Sequence, residues 1–106
     1  MGKWLLIVES NCADETRESE FNTWYDTIHI PDILNDSPGF KSATRYVLKN
    51  PDQPRAKHLA IYEIETEDIQ KTREAHLKNV ERKKAAGRWS DLLEVTERRV
   101  CKVQEW

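Results

Sequence analysis

The chain has 106 residues, of which 38% are hydrophobic and 34% charged, and its formal net charge is -2. This length suits one domain with one hydrophobic core, so we expect residues 1–106 to form a single domain. Its 17 Lys and Arg residues are balanced by 19 Asp and Glu residues, which argues against a nucleic-acid-binding protein. The longest apolar run, residues 4–8, is far shorter than the roughly 20 residues of a membrane helix, so no membrane segment is expected.

Two cysteines, Cys12 and Cys101, lie far apart in the sequence and cannot build a disulfide framework or a multi-cysteine metal site. No secretory signal is visible at the N-terminus, which favours a cytoplasmic protein with reduced thiols. The three histidines lack the short spacings of a zinc site, and no glycine-rich phosphate loop occurs. We therefore expect neither a metal nor a cofactor.

The first half of the chain predicts a strand followed by a helix. Residues 3–9 are apolar on both alternating sets, as in a strand buried on both faces. From residue 13 to about residue 30 the apolar residues follow helical spacing, with one stripe made of Phe21, Trp24, Tyr25 and Ile28. Pro31 cannot donate a backbone hydrogen bond, so we expect it to end or kink this helix and to open a short second turn to Leu34.

The second half predicts a turn at residues 35–39, strands at 40–48 and 58–64, and a loop between them at 50–54. A long helix follows from Thr66, its expected N-cap, to about residue 86, and a connecting turn at 89–93 leads to a strand at about 94–103. The order strand, helix, strand, strand, helix, strand is typical of the ferredoxin-like α+β class. In that βαββαβ arrangement both helices cover one face of a four-stranded antiparallel sheet.

The other face of the sheet also carries apolar residues. Both alternating sets of the first strand are apolar, and the second strand adds Phe40, Tyr46 and Leu48 on one set and Ala43 and Val47 on the other. Two helices can cover only one face, and soluble monomers rarely expose a large apolar patch. We therefore predict a homodimer in which two sheets pack face to face.

The first cluster of candidate catalytic residues lies near Pro31. His29 follows Tyr25 by one helical turn, and Asp32 comes just after the proline. A helix C-terminus and a nearby carboxylate both favour a charged imidazole, so His29 could act as an acid or base near neutral pH. The alternative is a histidine that only caps the helix end.

His76 is the second candidate, because it lies in the core-facing stripe of the long helix with Ile69 and Val80. It is either a core histidine with one satisfied hydrogen bond or a base that projects into a cavity between helix and sheet. Residues expected to bind a flat aromatic ligand there are Trp24, Asp32, Arg45, Tyr46, Tyr62 and Trp89. Alternation sends Arg45 and Tyr46 to opposite faces, so only one of them can line the cavity.

The segment Trp24-Tyr-Asp-Thr-Ile-His-Ile-Pro-Asp-Ile-Leu34, followed by Pro38-Gly-Phe40, resembles the dimeric α/β-barrel superfamily and, within it, the EthD-like branch. That superfamily includes polyketide cyclases, muconolactone isomerase, and cofactor-free and haem-degrading monooxygenases. The resemblance implies a cavity between sheet and helices, with His76 and Tyr25 on the elements that carry proton-transfer residues. His29 matches the histidine of the EthD-like motif.

These observations favour a small cofactor-independent enzyme that moves protons on an aromatic or enolisable carbonyl substrate, as a cyclase, isomerase or lyase does. His29 or His76 would be the base, and Tyr25 or Tyr46 would donate to the enolate oxygen. Two alternatives stay open. One is a haem-degrading monooxygenase with His76 as axial ligand, and the other is a non-catalytic dimer that binds a small apolar ligand.

Overall fold

The computed structural model describes residues 2–49 and 56–104. One antiparallel sheet has the strand order β2-β3-β1-β4, where β1 is Gly2–Cys12, β2 Phe40–Val47, β3 His58–Thr66 and β4 Leu93–Lys102. A helical segment joins β1 to β2, and a long helix joins β3 to β4. The predicted ferredoxin-like α+β fold is confirmed, with strand ends that differ from the prediction by a few residues. The loop predicted at 50–54 lies outside the described residues.

The two faces of the sheet have different surroundings. On one face, Leu6 and Val8 of β1 belong to the hydrophobic core, which also contains Phe21 and Ile33 from the first helical segment. On the other face, no helix of the described part of the chain covers the intervening positions. Four apolar side chains of that face are only partly buried, namely Leu5, Ile7, Leu59 and Ile61. The single chain therefore has a core on one side of the sheet and a partly apolar surface on the other.

The first helical segment continues through Pro31. It consists of a 3₁₀ turn at Glu15–Arg17, helix α1 at Glu18–Trp24, a π-helical turn at Tyr25–His29 and helix α2 at Ile30–Asp36. In the π-turn the Ile30 N–H donates to the Tyr25 carbonyl, five residues earlier. Pro31 comes directly after this widened turn, so its missing N–H falls where the regular hydrogen-bond ladder is already interrupted. Of the effects expected of Pro31, an end of the helix does not occur, and the expected second turn to Leu34 is helix α2, which continues to Asp36. The predicted turn at 35–39 begins only at Ser37.

The π-turn also changes which residues face the core. The buried positions of the segment are Phe21, Tyr25, His29 and Ile33, at intervals of four. Regular helical spacing predicts Ile28 in this stripe, but a π-turn holds more residues per turn than an α-helix. His29 therefore takes the core-facing position, and Ile28 lies only partly buried at the edge.

This shift predicts unequal costs for two isoleucine truncations. Ile33→Ala is expected to lower the free energy of unfolding by about 2–5 kcal/mol, because the side chain is 2% exposed in the core. Ile28→Ala, the matched control, removes the same atoms from a partly buried site and should cost on the order of 1 kcal/mol. Urea denaturation of both variants checks this. Equal losses in the free energy of unfolding would mean that the helix keeps regular α-helical spacing through residues 25–29.

The turn between α2 and β2 depends on Gly39. Its φ of 87° lies in the left-handed region, and a Cβ there would lie 3.0 Å from the Glu65 carbonyl oxygen. A bulge follows between Phe40 and Ser42. Because a bulge adds a residue to one strand, Phe40 lies on the helix-facing side with Ala43. The prediction that Phe40 shares a face with Tyr46 and Leu48 is therefore wrong.

Helix α3, at Ile69–Ala85, packs on the core side of the sheet through Ile69 and Val80. Its N-cap is Asp68, whose side chain accepts from the Lys71 N–H, and the predicted N-cap Thr66 is the last residue of β3 instead. Among residues 2–49 and 56–104, no helix has the length and apolar character needed to cross a membrane.

Candidate functional site

A cavity of about 320 Å³ lies between α3, the first helical segment and the sheet. Most of its wall is apolar and comes from Leu6, Val8, Ile33, Phe40, Ile64, Val80, Val95 and Val100. The polar or aromatic groups that reach it include His29, Tyr62, His76 and Trp89. It is open to solvent beside α3, because the exposed residues Arg73, Glu81 and Lys84 also line it. Both candidate histidines thus face one solvent-connected space.

His29 is held by aromatic rings. The ring of Trp24 stacks on it, with 4.7 Å between the ring centroids and 17° between the ring planes. Tyr25 and Trp89 contact it edge-on, with centroid distances of 5.0 and 4.9 Å. The side chain is buried, and neither ring nitrogen has a hydrogen-bond partner among the residues that the structure describes. Aromatic contacts therefore set the ring plane and leave its nitrogens available to a ligand.

The charge state of His29 differs from the sequence-based expectation. Burial, followed by the neighbouring His76, lowers the pKa of His29 to about 4, although Asp32 acts in the opposite direction. The expected helix C-terminus is absent, since the helix continues to Asp36. Asp32 is also engaged elsewhere, because the Arg88 guanidinium donates to it at 2.6 and 3.0 Å. His29 is consequently neutral at physiological pH.

His76 lines the same cavity from α3. Its ring stacks on Phe40 with a centroid distance of 4.7 Å, and its Nδ1 lies 2.9 Å from the Ser37 hydroxyl. Asn79, one helical turn further along α3, donates from Nδ2 to the Ser37 hydroxyl at 3.0 Å and to the Asp32 carbonyl at 3.2 Å. Burial, followed by the positive charge of Arg98, lowers the pKa of His76 to about 4. This imidazole is also neutral at pH 7.

Four of the predicted site residues meet at the cavity, namely His29, His76, Tyr62 and Trp89. Burial raises the pKa of Tyr62 well above its ordinary value, and the nearby Tyr25 adds to this. Tyr62 therefore keeps its proton and is a hydrogen-bond donor. Lys84 lies over the Trp89 ring, 4.9 Å from its centroid, at the open side of the cavity.

Two other predicted residues lie behind His29. Tyr25 is 1% exposed and contacts the Arg45 guanidinium, 4.4 Å from its ring centroid, without lining the cavity. Trp24 contacts His29 with its ring and donates its indole N–H to the Arg88 carbonyl at 3.0 Å. Neither residue lines the cavity, so their predicted roles in catalysis and binding stay predictions.

Three more predicted residues lie away from the cavity. Asp32 pairs with Arg88, and Arg45 bonds to Asp26, Asn22 and His58 at 2.9 to 3.2 Å. Tyr46 is 50% exposed on the uncovered face of the sheet, as alternation from Arg45 requires. Ion pairing or strand register directs these three side chains away from the cavity, and their roles in binding stay predictions.

Residues that sequence reasoning missed are Ser37, Phe40, Asn79 and Arg98. Asn79 could have been identified from the sequence, because a polar residue three positions after His76 lies on the same helix face. Arg98 lines the cavity, faces the helix side of β4 opposite Val8, and has no ion pair within the described part of the chain. Ser37 and Phe40 could not be found from local pattern, because the turn and the bulge decide their direction.

No cluster of three or more His, Cys, Asp or Glu side chains able to hold a metal occurs within residues 2–49 and 56–104. The cavity residues that carry polar side chains supply imidazole, phenol, indole and guanidinium groups, with the Glu81 carboxylate and the Lys84 ammonium at the open side. Such a set can accept a proton, donate hydrogen bonds and attract negative charge.

No protein-family model matches the chain, and no curated protein matches it. Solved structures do match. HapK from Hahella chejuensis has a TM-score of 0.73 at 13% identity, over 95% of this chain and 92% of that one. An ethyl tert-butyl ether degradation (EthD) family protein from Bacillus halodurans has a TM-score of 0.56 at 16% identity, over 98% and 100% of the two chains.

A dimeric ferredoxin-like protein of unknown function from Thermobifida fusca has a TM-score of 0.57 at 10% identity, over 96% and 90% of the two chains. At these identities the likeness concerns the fold. The ferredoxin-like fold is thus confirmed, and an EthD family protein is among the structures that share it.

Proposed function

We propose that the protein is a small cofactor-independent enzyme that transfers protons on an aromatic or enolisable carbonyl substrate. The observation that carries this proposal is the convergence of two neutral imidazoles, His29 and His76, on one open and largely apolar cavity. A structural histidine is normally satisfied by protein groups, whereas His29 has no hydrogen-bond partner in the described chain.

The proposed reaction begins with removal of a proton from the carbon next to a carbonyl group. An imidazole nitrogen takes the proton, the C–H electron pair forms the enolate, and a hydrogen-bond donor stabilises the oxygen. A histidine with a pKa of about 4 is a weak base in the empty cavity. Negative charge developing on the substrate raises its proton affinity during the step.

Arg98 supports a substrate that carries or develops negative charge. Arg98 is an exposed residue that lines the cavity, and it has no carboxylate partner in the described residues. Because it is exposed, water and salt screen its charge, and its attraction for an enolate or carboxylate should weaken as the salt concentration rises. An aromatic ring of the substrate would meet Phe40 and Trp89.

The two alternatives receive less support. A non-catalytic dimer predicts a filled or collapsed cavity with both histidines paired, whereas the cavity is open and His29 has no hydrogen-bond partner among residues 2–49 and 56–104. A haem ligand uses Nε2 and carries its proton on Nδ1. Here the Ser37 hydroxyl hydrogen has no acceptor in the described residues other than Nδ1 of His76, which favours an accepting Nδ1 and gives the haem role less support.

The experiment that tests the proposal measures solvent exchange. The protein is incubated in deuterated buffer with 2-tetralone and with aryl β-diketones, and loss of the α-proton signals is followed by NMR. We expect exchange well above the buffer rate. Binding of these compounds next to Trp89, seen as fluorescence quenching, without faster exchange would contradict the proposal.

We also propose that two copies pair through the uncovered sheet face. Leu5, Ile7, Leu59 and Ile61 form its centre, and Tyr46 extends the apolar surface along β2. Burying these side chains would remove apolar area that a monomer leaves in water. The dimeric ferredoxin-like protein from Thermobifida fusca shares the fold, which supports the proposal.

Static light scattering at micromolar concentration is expected to give twice the 12.5 kDa of one chain. Ile7→Lys places a charge at the centre of the uncovered face and should shift the mass to that of a monomer. The control is Gln70→Lys, which adds the same charge at an exposed position of α3. A monomeric wild-type protein would refute the dimer.

A further inference from the structure

The buried side chains of Asn79 and Ser37 form a hydrogen-bond chain that ends on His76. Asn79 is 0% exposed and Ser37 is 2% exposed, so water does not compete for these bonds. The bonds are Asn79 Nδ2 to Ser37 Oγ at 3.0 Å and Ser37 Oγ to His76 Nδ1 at 2.9 Å. The three residues come from α3 and from the turn that follows α2, which are packed together here.

The donor and acceptor roles in these hydrogen bonds follow from a backbone carbonyl group. The Asp32 carbonyl oxygen can only accept a hydrogen bond, and it lies 3.2 Å from the Asn79 amide group. The amide nitrogen must therefore point there, and it also provides the proton to the Ser37 hydroxyl. With its oxygen receiving that bond, Ser37 can direct its single hydroxyl hydrogen to His76 Nδ1.

We infer that Asn79 and Ser37 are positioning residues that hold His76 as the Nε2–H tautomer, so that it presents a hydrogen-bond donor to the cavity. A neutral imidazole has one N–H, and an accepting Nδ1 leaves that proton on Nε2. Nε2 has no hydrogen-bond partner in the described part of the chain. The stacked Phe40 ring keeps the imidazole plane in place.

In this arrangement the two histidines would have different roles in the reaction. His76 would donate to the oxygen of the substrate, and His29, whose nitrogens have no partner in the described chain, would be the base. The division rests on the proposed function, whereas the tautomer does not. The buried Oδ1 of Asn79 has no hydrogen-bond partner among the residues that the structure describes, a cost that an apolar residue would avoid.

The test is a long-range ¹⁵N–¹H correlation spectrum of the histidines at pH 7, which distinguishes the two tautomers without a substrate. Wild-type His76 is expected as the Nε2–H form. Ser37→Ala should give a mixture of tautomers, and Ser37→Thr, which keeps the hydroxyl, should restore the Nε2–H form. Asn79→Asp can only accept from Ser37, so it should shift His76 towards the Nδ1–H form.

Thr72→Val is the control, because Thr72 is buried on α3 and its hydroxyl bonds to Thr66, away from His76. It should leave the spectrum of His76 unchanged. An Nδ1–H form in the wild type, or an unchanged tautomer in Ser37→Ala, would overturn the inference. Neither result depends on activity, so the inference about the tautomer can be refuted while proton transfer is still observed. It can likewise be supported when no proton transfer is observed.

Discussion

Replacing His29 by glutamine is expected to lower kcat/KM for proton exchange by about 10²–10⁴-fold, the usual contribution of a positioned acid or base. Glutamine fills much of the same space between Trp24 and Trp89 but cannot accept a proton at neutral pH. The loss should appear in kcat, because the side chain acts on the reacting carbon after the substrate has bound. Exchange of the α-protons of 2-tetralone provides the measurement.

His58→Gln is the matched control for this prediction. His58 is also a buried histidine, but it contacts Arg45 and lies outside the cavity. Its replacement should leave kcat/KM near the wild-type value, even if it lowers stability. Equal losses in the two variants would indicate a general effect of removing a buried histidine and would remove His29 from the mechanism.

Acidification is expected to destabilise the protein before its carboxylates titrate. Burial lowers the pKa of both His29 and His76 from 6.5 to about 4, so the unfolded chain binds more protons than the folded chain between these values. Their contribution to stability is complete above pH 6.5 and is lost as the pH falls towards 4. At about 1.4 kcal/mol per pKa unit, each should lose on the order of 2 kcal/mol by pH 5.

Urea denaturation at pH 7.5 and pH 5, at one fixed protein concentration, measures this loss. Burial and the nearby Arg45 also lower the pKa of His58, which acts in the same direction. The ion-paired Glu18 and Asp36 have pKa values below their ordinary range, lowered chiefly by hydrogen bonds from lysines, and titrate below this window. A variant carrying His29→Gln and His76→Gln should lose much less stability; a loss equal to the wild type would contradict the assigned pKa values.

Local pattern was sufficient to predict the class of the fold. The continuous apolar run of β1, the turn residues between β2 and β3, the alternation in β4 and the apolar spacing of α3 depend on neighbours in the sequence, so the order of elements could be predicted. The apolar spacing of α3 also identified His76 as a core-facing residue. His29 was identified because it follows Tyr25 by one helical turn. Two apolar sets on β1 also indicated that one sheet face would be left without a helix.

What the sequence alone determined about this protein is therefore its ferredoxin-like topology and the two histidines. The tertiary structure decided which side chains accompany them. The π-turn moved His29 into the core, and the bulge placed Phe40 under His76, because one extra residue in a turn or strand reverses the expected face. Ser37 and Asn79 are 42 positions apart, and only the packing of α3 against the preceding turn brings them into hydrogen-bond contact.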